Sequence, residues 1–415
     1  MIKRIIYSEI KNHLNQKEIS LIAGPRQAGK TTAMLQLKKE LDESGEKTLL
    51  LNLDIEADRY FFDSQKSLIS KIELEIGKNK GFVFIDEMQR KEDAGLFLKG
   101  IYDMNLPYKF IVSGSGSVEL KAHIHESLAG RKRLFELNTI SFEEFINFKT
   151  DYKYQDQLEN FFQIEKEKTL ELAKEYITFG GYPRVILAQT TLEKTKIIEE
   201  IYTSFVEKDL AYLLGIQKTE DLGRLLKIIS SQIGNLVNYS ELSSTLGLSQ
   251  QTVNNYLWYT EKTFVIDKIT PFYRNVRSEI TKSPTYYFTD LGMRNFILGT
   301  FGNYNLTIDD GFLFQNFIYL LIKNNLNLNF AKIHFWRTKD GAETDFILEN
   351  GQDVIPIEVK SINVKNQDIP RSFRNFINKY NPPQAYLVNL SLDSVLTIDQ
   401  TKINFIPYYQ VLFIK

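Results

Sequence analysis

The chain contains no cysteine, and only four histidines and two tryptophans, in 415 residues. Without cysteine it can form neither disulfides nor thiolate metal sites. Four histidines, none at ligand spacing, leave little room for a zinc cluster. Nowhere does the sequence offer the roughly 20 consecutive apolar residues that a membrane-spanning helix needs. Residues Met1 to Ile10 have neither the apolar core nor the cleavage site of a secretory signal. The formal net charge is −1, so no global field draws the protein to nucleic acid, and any such contact must come from a local patch. Internal repeats, low-complexity tracts and long linkers are missing too. What remains is the composition of an ordinary globular protein, 43% hydrophobic and 25% charged, long enough for roughly two to four domains. A disulfide-free chain of this kind is expected in the cytoplasm, with no membrane partner.

Against these absences stands one motif. Residues Gly24 to Thr31 read Gly-Pro-Arg-Gln-Ala-Gly-Lys-Thr, the G-x-x-x-x-G-K-T phosphate-binding pattern. The apolar run Ile19 to Ala23 predicts a strand leading into it, and Thr32 to Leu41 predicts a helix leading out. Gly24 and Gly29 let the backbone bend so that successive N–H groups face inward, and the helix dipole favours an anion at that end. Gly24, Pro25, Arg26, Gln27, Ala28, Gly29, Lys30, Thr31 and Thr32 form the expected ATP-binding set. Within it, Lys30 reaches the β- and γ-phosphates and the Thr31 hydroxyl ligates Mg²⁺.

A second motif has the matching chemistry. Gly81 to Glu87 reads Gly-Phe-Val-Phe-Ile-Asp-Glu, an apolar run that predicts a parallel strand buried on both faces. Carboxylates at the tip of such a strand are costly unless they have work there. Asp86 is expected to hold Mg²⁺, and Glu87 to polarise the water that attacks the γ-phosphate. Lys47 to Leu53 and Tyr108 to Val112 predict two further strands. The latter leads into Ser113-Gly114-Ser115, where Ser113 either senses the γ-phosphate or belongs to a plain turn. Arg131 and Arg133 follow. An arginine there either contacts the γ-phosphate, in cis or across a subunit boundary, or is a solvated surface group.

Beyond about residue 150 the pattern turns helical. Tyr154 to Tyr176 and Leu192 to Leu213 have apolar residues at helical spacing, separated by a break at Gly180-Gly181-Tyr182-Pro183. These helices are expected to form either a lid over the nucleotide or a plain linker. Ser240 then predicts the cap of a helix through Leu242 and Leu246, Gly247 a turn, and Ser249 the cap of a helix from Gln250 to Glu261. Strands are expected at Phe264 to Ile269 and Thr285 to Phe288, with Arg274, Arg277 and Lys282 on the wing between them. This is a winged-helix pattern. Its second helix carries Gln250, Gln251, Asn254 and Asn255, amides that can pair with adenine edges but do little to hold phosphates. A DNA or a protein partner therefore remains open.

A second candidate site lies near the C-terminal end. Glu343 to Leu348 and Val354 to Lys360 predict a hairpin that brings Asp345 close to Glu358, with Glu358 and Lys360 on one sheet face. Two carboxylates and a lysine could bind Mg²⁺ and orient a water for phosphodiester attack, or pair among themselves. The pattern resembles the D…E-x-K core of restriction-endonuclease-like folds, with a helix at Gln367 to Tyr380 and a strand at Ala385 to Leu390 in the order that fold implies. Related domains often have a glutamate where this chain has Gln315, which brings an oxygen but no charge.

Taken in order, these segments resemble the AAA+-type P-loop ATPases of bacteria and archaea whose C-terminal half is a domain of unknown function. The likeness rests on Gly24 to Thr32, Asp86 to Arg90, Val112 to Ser115, Ser127 to Arg131 and Ile140 to Phe145. It continues through Gly180 to Pro183, Glu207 to Leu210 and Tyr287 to Gly292. It implies an ATP-binding core of five parallel strands with helices on both faces. The expected architecture is α/β. Residues 1–147 form the P-loop ATPase core, 148–220 a helical lid or linker, 221–300 a winged helix and 301–415 a restriction-endonuclease-like domain. The expected activity is Mg²⁺-dependent ATP hydrolysis driving a nucleotide switch, with Lys30, Glu87 and Arg131 as catalytic groups. An ATP-regulated nuclease acting on DNA or RNA is the alternative, and oligomerisation stays open.

Overall fold

The structure is a computed structural model that describes residues 2–115, 128–215, 219–273, 283–303, 310–325, 331–351 and 353–414. The wing residues Arg274, Arg277 and Lys282, and Ser127, lie outside the described residues.

After helix α1 (Ile6–Asn12) the chain alternates β1 (Ile19–Gly24), α2 (Lys30–Glu43), β2 (Thr48–Asn52), α3 (Gln65–Ile76), β3 (Gly81–Asp86), α4 (Ala94–Asp103), β4 (Tyr108–Ser115) and β5 (Lys132–Glu136). The five strands form one sheet in the order β2-β3-β4-β1-β5, and every pair in it is parallel. Each strand of a parallel sheet needs cover on both faces. Met34 and Leu37 of α2 pack with Ile22, Phe84 and Ile111 on one face. Leu68 and Ile72 of α3 and Leu98 and Ile101 of α4 pack with Leu21, Val83 and Val112 on the other. All six residues of β3 are buried. The five-strand count that the resemblance implied is met, and β5 supplies the fifth.

The helical part follows with α5 (Phe142–Lys149), α6 (Leu158–Ile164), α7 (Lys166–Phe179), α8 (Pro183–Leu187) and α9 (Thr191–Ser204). The helix predicted across Tyr154 to Tyr176 is two helices, because Glu165 leaves helical geometry at φ −94°, ψ 53°. The break at Gly180 to Pro183 is present, with Pro183 in the first turn of α8, where its missing N–H costs nothing. Beyond α9 the chain continues as a π-helical turn over Phe205–Leu210.

Next come α10 (Glu220–Ser231), α11 (Tyr239–Leu246), α12 (Gln250–Lys262), β6 (Ile266–Ile269), β7 (Thr285–Phe288) and α13 (Leu291–Leu298). Helices α11 and α12 turn on Gly247, and β6 and β7 pair antiparallel. The cap of α11 is Asn238, not Ser240: its side chain accepts the N–H groups of Ser240 and Glu241, and asparagine competes well for that position. Ser249 caps α12 as expected, accepting from Thr252 N–H. Gln250, Gln251, Asn254 and Asn255 all lie on its exposed side.

The last part has α14 (Gly311–Asn325), β8 (Ala331–Arg337), β9 (Glu343–Asn350), β10 (Asp353–Val359), α15 (Arg371–Tyr380), β11 (Gln384–Asn389), β12 (Ser394–Ile398) and β13 (Thr401–Pro407). Its six-stranded mixed sheet runs β12-β13-β11-β10-β9-β8. Helices α5 to α7 bury Phe142, Phe145, Phe162 and Tyr176 against Phe314, Phe317 and Tyr409 of this part in one continuous core. Val185 and Ile198 join a second core with Leu225, Val253 and Phe288. The helical part is thus packed on both of its neighbours.

One polar group ties these cores together. The buried Asp290 carboxylate accepts Met293 N–H at 2.8 Å, capping α13, and Gly181 N–H at 2.7 Å. Gly292 backs against the same corner, where a Cβ would stand 2.1 Å from the Phe179 carbonyl oxygen. We expect Gly292→Ala to destabilise the protein by about 2 kcal/mol or more through overpacking against backbone, measured by chemical denaturation. Burial pushes the Asp290 carboxyl from its ordinary 3.8 up to about 6, against the pull of the Met293 and Gly181 hydrogen bonds. The native state then holds this proton more tightly than the unfolded chain, so stability falls as pH rises between those two values and levels off above. Relative to Asp290→Asn, the wild type should lose up to about 3 kcal/mol across that window. Parallel denaturation curves for the two proteins would reveal the opposite slope if the carboxyl were ionised throughout.

Candidate functional site

The loop between β1 and α2 is held in a form that only certain residues accept. Gly29, the residue before α2, has φ 100°, a left-handed geometry that glycine takes without strain. Gly24 is required for a different reason, because a Cβ there would lie 2.0 Å from the Leu137 carbonyl oxygen. The buried Lys30 ammonium donates to the carbonyls of Gly24 at 3.1 Å and Pro25 at 2.8 Å, which draws its charge across the loop. Thr31 Oγ1 donates to Asp86 Oδ2 at 2.7 Å. Asp86 Oδ1 accepts from the Ser113 hydroxyl and from Glu87 N–H at 3.1 Å. So the two motifs meet as expected, and Ser113 sits between them on β4 rather than in a turn. Glu87 leaves the strand with φ 57°, and the Gln89 amide donates to its carboxylate. A threonine hydroxyl beside a carboxylate is a hard-oxygen donor pair of the kind Mg²⁺ takes when phosphates complete its shell, so these residues fit that ion.

With Asp86 and Ser113 buried behind them, Lys30, Thr31 and Glu87 line a cleft of about 970 Å³, at the upper end for a small-molecule site. Its floor is Arg26 to Ala33 with Glu87 and Asp54. Two walls complete it, the first of them not foreseen from the sequence. The first is the N-terminal arm, Ile2 to Ser8, which with Ile140 and Leu187 makes an apolar side to the cleft. Ile5 and Leu187 are about half exposed there. The second is the start of α8 and the end of α9. Arg184 donates to the loop side chain Gln27 at 2.9 Å and to Glu200 at 3.1 Å, and Arg26 donates to Ser204 at 3.4 Å. The signal for Arg184 was its place directly after the Gly-Gly-Tyr-Pro break. The arm carries no motif. Glu143 also lines the cleft, and burial, then the neighbouring Glu144, raises its carboxyl pKa.

Arg131 does not belong to this cleft. Its carbonyl accepts Ile19 N–H at the beginning of β1, whereas the phosphate loop leaves the far end of that strand, about 16 Å away at strand rise. Its guanidinium pairs with Asp103 at 2.8 Å. Arg133 points to Glu9 at the same end, at 3.8 Å. The parallel register forces this, since a residue entering a strand parallel to β1 stands at the foot of the sheet. A role for Arg131 within its own chain's site is therefore corrected.

The C-terminal candidates do come together. Gln315 donates to Asp345 Oδ1 at 2.8 Å and Val359 N–H to Asp345 Oδ2 at 2.7 Å, while Lys360 donates to Glu358 Oε1 at 2.8 Å. Burial, then Glu358, raises the Asp345 pKa well above the carboxylate range. Burial also raises that of Glu358, against Lys360. Burial lowers the Lys360 pKa, but the combined pull of Glu358, Asp345 and Glu343 outweighs it, so the net shift is upward. Glu358 Oε2 is buried without a hydrogen-bond partner. Among the described residues no group of three or more His, Cys, Asp and Glu is placed to hold a metal ion, and no helix is long and apolar enough to cross a membrane.

Three stretches of the chain match family models. Residues 16–146 match the family described as an AAA domain. Residues 170–304 and 310–411 match two families described as domains of unknown function, DUF8612 and DUF4143. An uncharacterized protein of Haemophilus influenzae is 25% identical over 355 residues, covering 82% of each chain. One of Mycobacterium tuberculosis is 25% identical over 381 residues, 90% of this chain and 76% of that one. One of Methanocaldococcus jannaschii is 25% identical over 357 residues, 83% and 75%. Among solved structures, AMPPCP-bound DnaA from Aquifex aeolicus aligns over 62% of this chain and 87% of that one, at 13% identity and a TM-score of 0.25, too low to carry an argument. The AAA-domain match supports a nucleotide-binding, ATPase-like role.

From its place at the sheet's foot, Arg131→Ala should leave the ATP affinity of dilute protein within about twofold, since screened charges beyond a Debye length contribute little. Isothermal titration against wild type decides this, and a tenfold loss would put Arg131 back in the site.

Proposed function

We propose that this chain, an AAA-type P-loop domain joined to a C-terminal domain of unknown function, binds ATP with Mg²⁺ at Gly24 to Thr32, hydrolyses it, and uses the cycle as a conformational switch. The observation that carries the reading is that Lys30, Thr31 and Glu87 line one cleft of nucleotide size, with Asp86 and Ser113 hydrogen-bonded directly behind them.

In this mechanism the loop amides and Lys30 hold the phosphates, Lys30 exchanging its bonds to the Gly24 and Pro25 carbonyls for bonds to phosphate oxygen. Mg²⁺ held by Thr31 and Asp86 would neutralise phosphate charge. Glu87 orients and polarises the attacking water, with Gln89 fixing its carboxylate. Ser113 fixes Asp86 and marks the γ-phosphate side. The apolar side made by Ile2, Ile5, Ile140 and Leu187 takes the adenine. Catalysis rests on positioning and charge neutralisation. Arg184 stands where a phosphate would compete with Gln27 and Glu200 for its guanidinium, which gives the switch its handle on α8 and α9.

The reading extends to the rest of the chain. Residues 148–220 act as a lid, 221–300 as a winged helix, and 301–415 as a restriction-endonuclease-like domain that binds a protein or nucleic-acid partner in the cytoplasm. A binding module is preferred to a nuclease because Asp345 already accepts from Gln315 and Glu358 from Lys360.

Two substitutions test the core claim. Lys30→Ala should weaken ATP by about a hundredfold or more, because it removes a charge-assisted contact to two phosphates. Glu87→Gln should keep the affinity and lower turnover about a hundredfold or more. ATP titration and phosphate release give both numbers. Equal, negligible turnover in wild type and Glu87→Gln would reduce the protein to a nucleotide-binding scaffold, and unchanged affinity in Lys30→Ala would sink the site.

A further inference from the structure

The N-terminal arm holds one side chain, Arg4, all three of whose guanidinium nitrogens donate. Arg4 Nε donates to both Glu144 oxygens at 3.2 and 3.1 Å. One terminal nitrogen donates to the Ala28 carbonyl at 2.9 Å, and the other to the carbonyls of Asn138 at 2.6 Å and Thr139 at 3.3 Å. The pair is nearly buried, with Arg4 12% and Glu144 6% exposed. Glu144 is fixed independently of Arg4. It closes the capping box of α5 with Ser141 and accepts Ile5 N–H at 2.6 Å. So the guanidinium is a planar fork clamped at one end to a helix start and at the other to the phosphate loop.

The contact with Ala28 has a consequence one atom further on. Ala28 and Gly29 share a peptide plane, and in a trans peptide the C=O and N–H point in opposite directions. With its oxygen drawn to Arg4, this plane must turn the Gly29 N–H away from Arg4. Gly29 is the left-handed residue at the start of α2, and backbone N–H groups at such a place are the ones that receive phosphate oxygen. A glycine with no Cβ gives the plane freedom to rotate, and Arg4 holds its carbonyl end. We propose that Arg4, through the Ala28 carbonyl, is a positioning residue for the phosphate loop, setting the Gly29 N–H toward the nucleotide's phosphates. The inference rests on the ATP reading above and gives the motif-free arm a role in it.

Lysine cannot replace this arginine, because a compact ammonium on a single stem does not span Glu144 and Ala28 as a planar fork does. The effect should depend on phosphates. Titrations of full-length wild type, Arg4→Lys and Glu144→Gln with AMP and with ATP, both in Mg²⁺ buffer, separate the possibilities. Arg4→Lys should weaken ATP about tenfold, the worth of one charge-assisted hydrogen bond, and leave AMP within about twofold. Glu144→Gln loosens the same buried corner but leaves the guanidinium on Ala28, so its ATP affinity should stay within about threefold of wild type. An unchanged ATP affinity in Arg4→Lys overturns the proposal. So does an equal loss for AMP and ATP, which would mean only that the arm has come away from the cleft. Should Arg4→Lys fail to fold, Glu144→Gln still decides: a tenfold, ATP-specific loss there assigns the effect to the packing of the corner and overturns the role of Arg4. Absence of ATP binding by wild type is a separate result that removes the nucleotide reading itself.

Discussion

A loop that turns its N–H groups inward to meet an anion must turn carbonyls outward, and those carbonyls need partners of their own. That constraint organises the nucleotide half of this protein. The Ala23 oxygen receives Leu137 N–H, the Gly24 and Pro25 oxygens receive Lys30, the Ala28 oxygen receives Arg4 and the Gly29 oxygen receives Ala33 N–H. Lys30 and Ala33 belong to the helix that the loop starts. The others come from the N-terminal arm and from the chain just past β5. The loop's shape is therefore a property of tertiary structure as much as of its glycines.

The same partners reach beyond the core. Asn138 and Thr139, which accept from Arg4, lead into Ile140, whose N–H donates to the Gly181 carbonyl and whose carbonyl accepts the Tyr176 hydroxyl. Gly181 N–H is held by Asp290, and Asp290 caps α13. Just upstream, Phe288 exchanges two backbone hydrogen bonds with the Asn316 amide of α14. Side-chain and backbone hydrogen bonds thus lead from the phosphate loop to helix α14. Contiguity alone is not coupling. The groups along this route are tied by hydrogen bonds, many of them buried, and move together or at a cost.

Much of the nucleotide half is legible in the sequence because its signals are local. The apolar runs at Ile19, Thr48, Gly81 and Tyr108 are strands, and the motif residues Lys30, Thr31, Asp86 and Glu87 meet at their tips. β5 was hidden because Lys132-Arg133-Leu134-Phe135-Glu136 is an edge strand, half-exposed and charged, and does not read as an apolar run. That concealment also misplaced Arg131: without the strand, nothing said at which end of the sheet it would stand. Arg4 and Glu144 were invisible for the converse reason. They are 140 residues apart, and one carries no motif while the other reads as an ordinary capping box. Asn238 displaced Ser240 as a cap because two good capping residues two positions apart leave the boundary to be settled by packing.

The C-terminal half poses a charge problem. Asp345 and Glu358 sit in surroundings that raise both carboxyl pKa values, with a lysine as the nearest compensation. A divalent cation would compensate two buried carboxylates better than one lysine. But a glutamine occupies the third position, and its amide donates to Asp345, an orientation that turns its nitrogen, not its oxygen, toward the place a cation would take. Both Asp345 oxygens already accept, one from that amide and one from Val359 N–H, and burial favours the neutral form of the carboxyl. Glu358 Oε2 is the atom left over. One unsatisfied oxygen beside a lysine calls for a proton or a water, and neither requires the hydrolytic chemistry that the sequence pattern brought to mind. The fold of this half and its function are thus separable, and the weight of the functional argument stays on the nucleotide cleft.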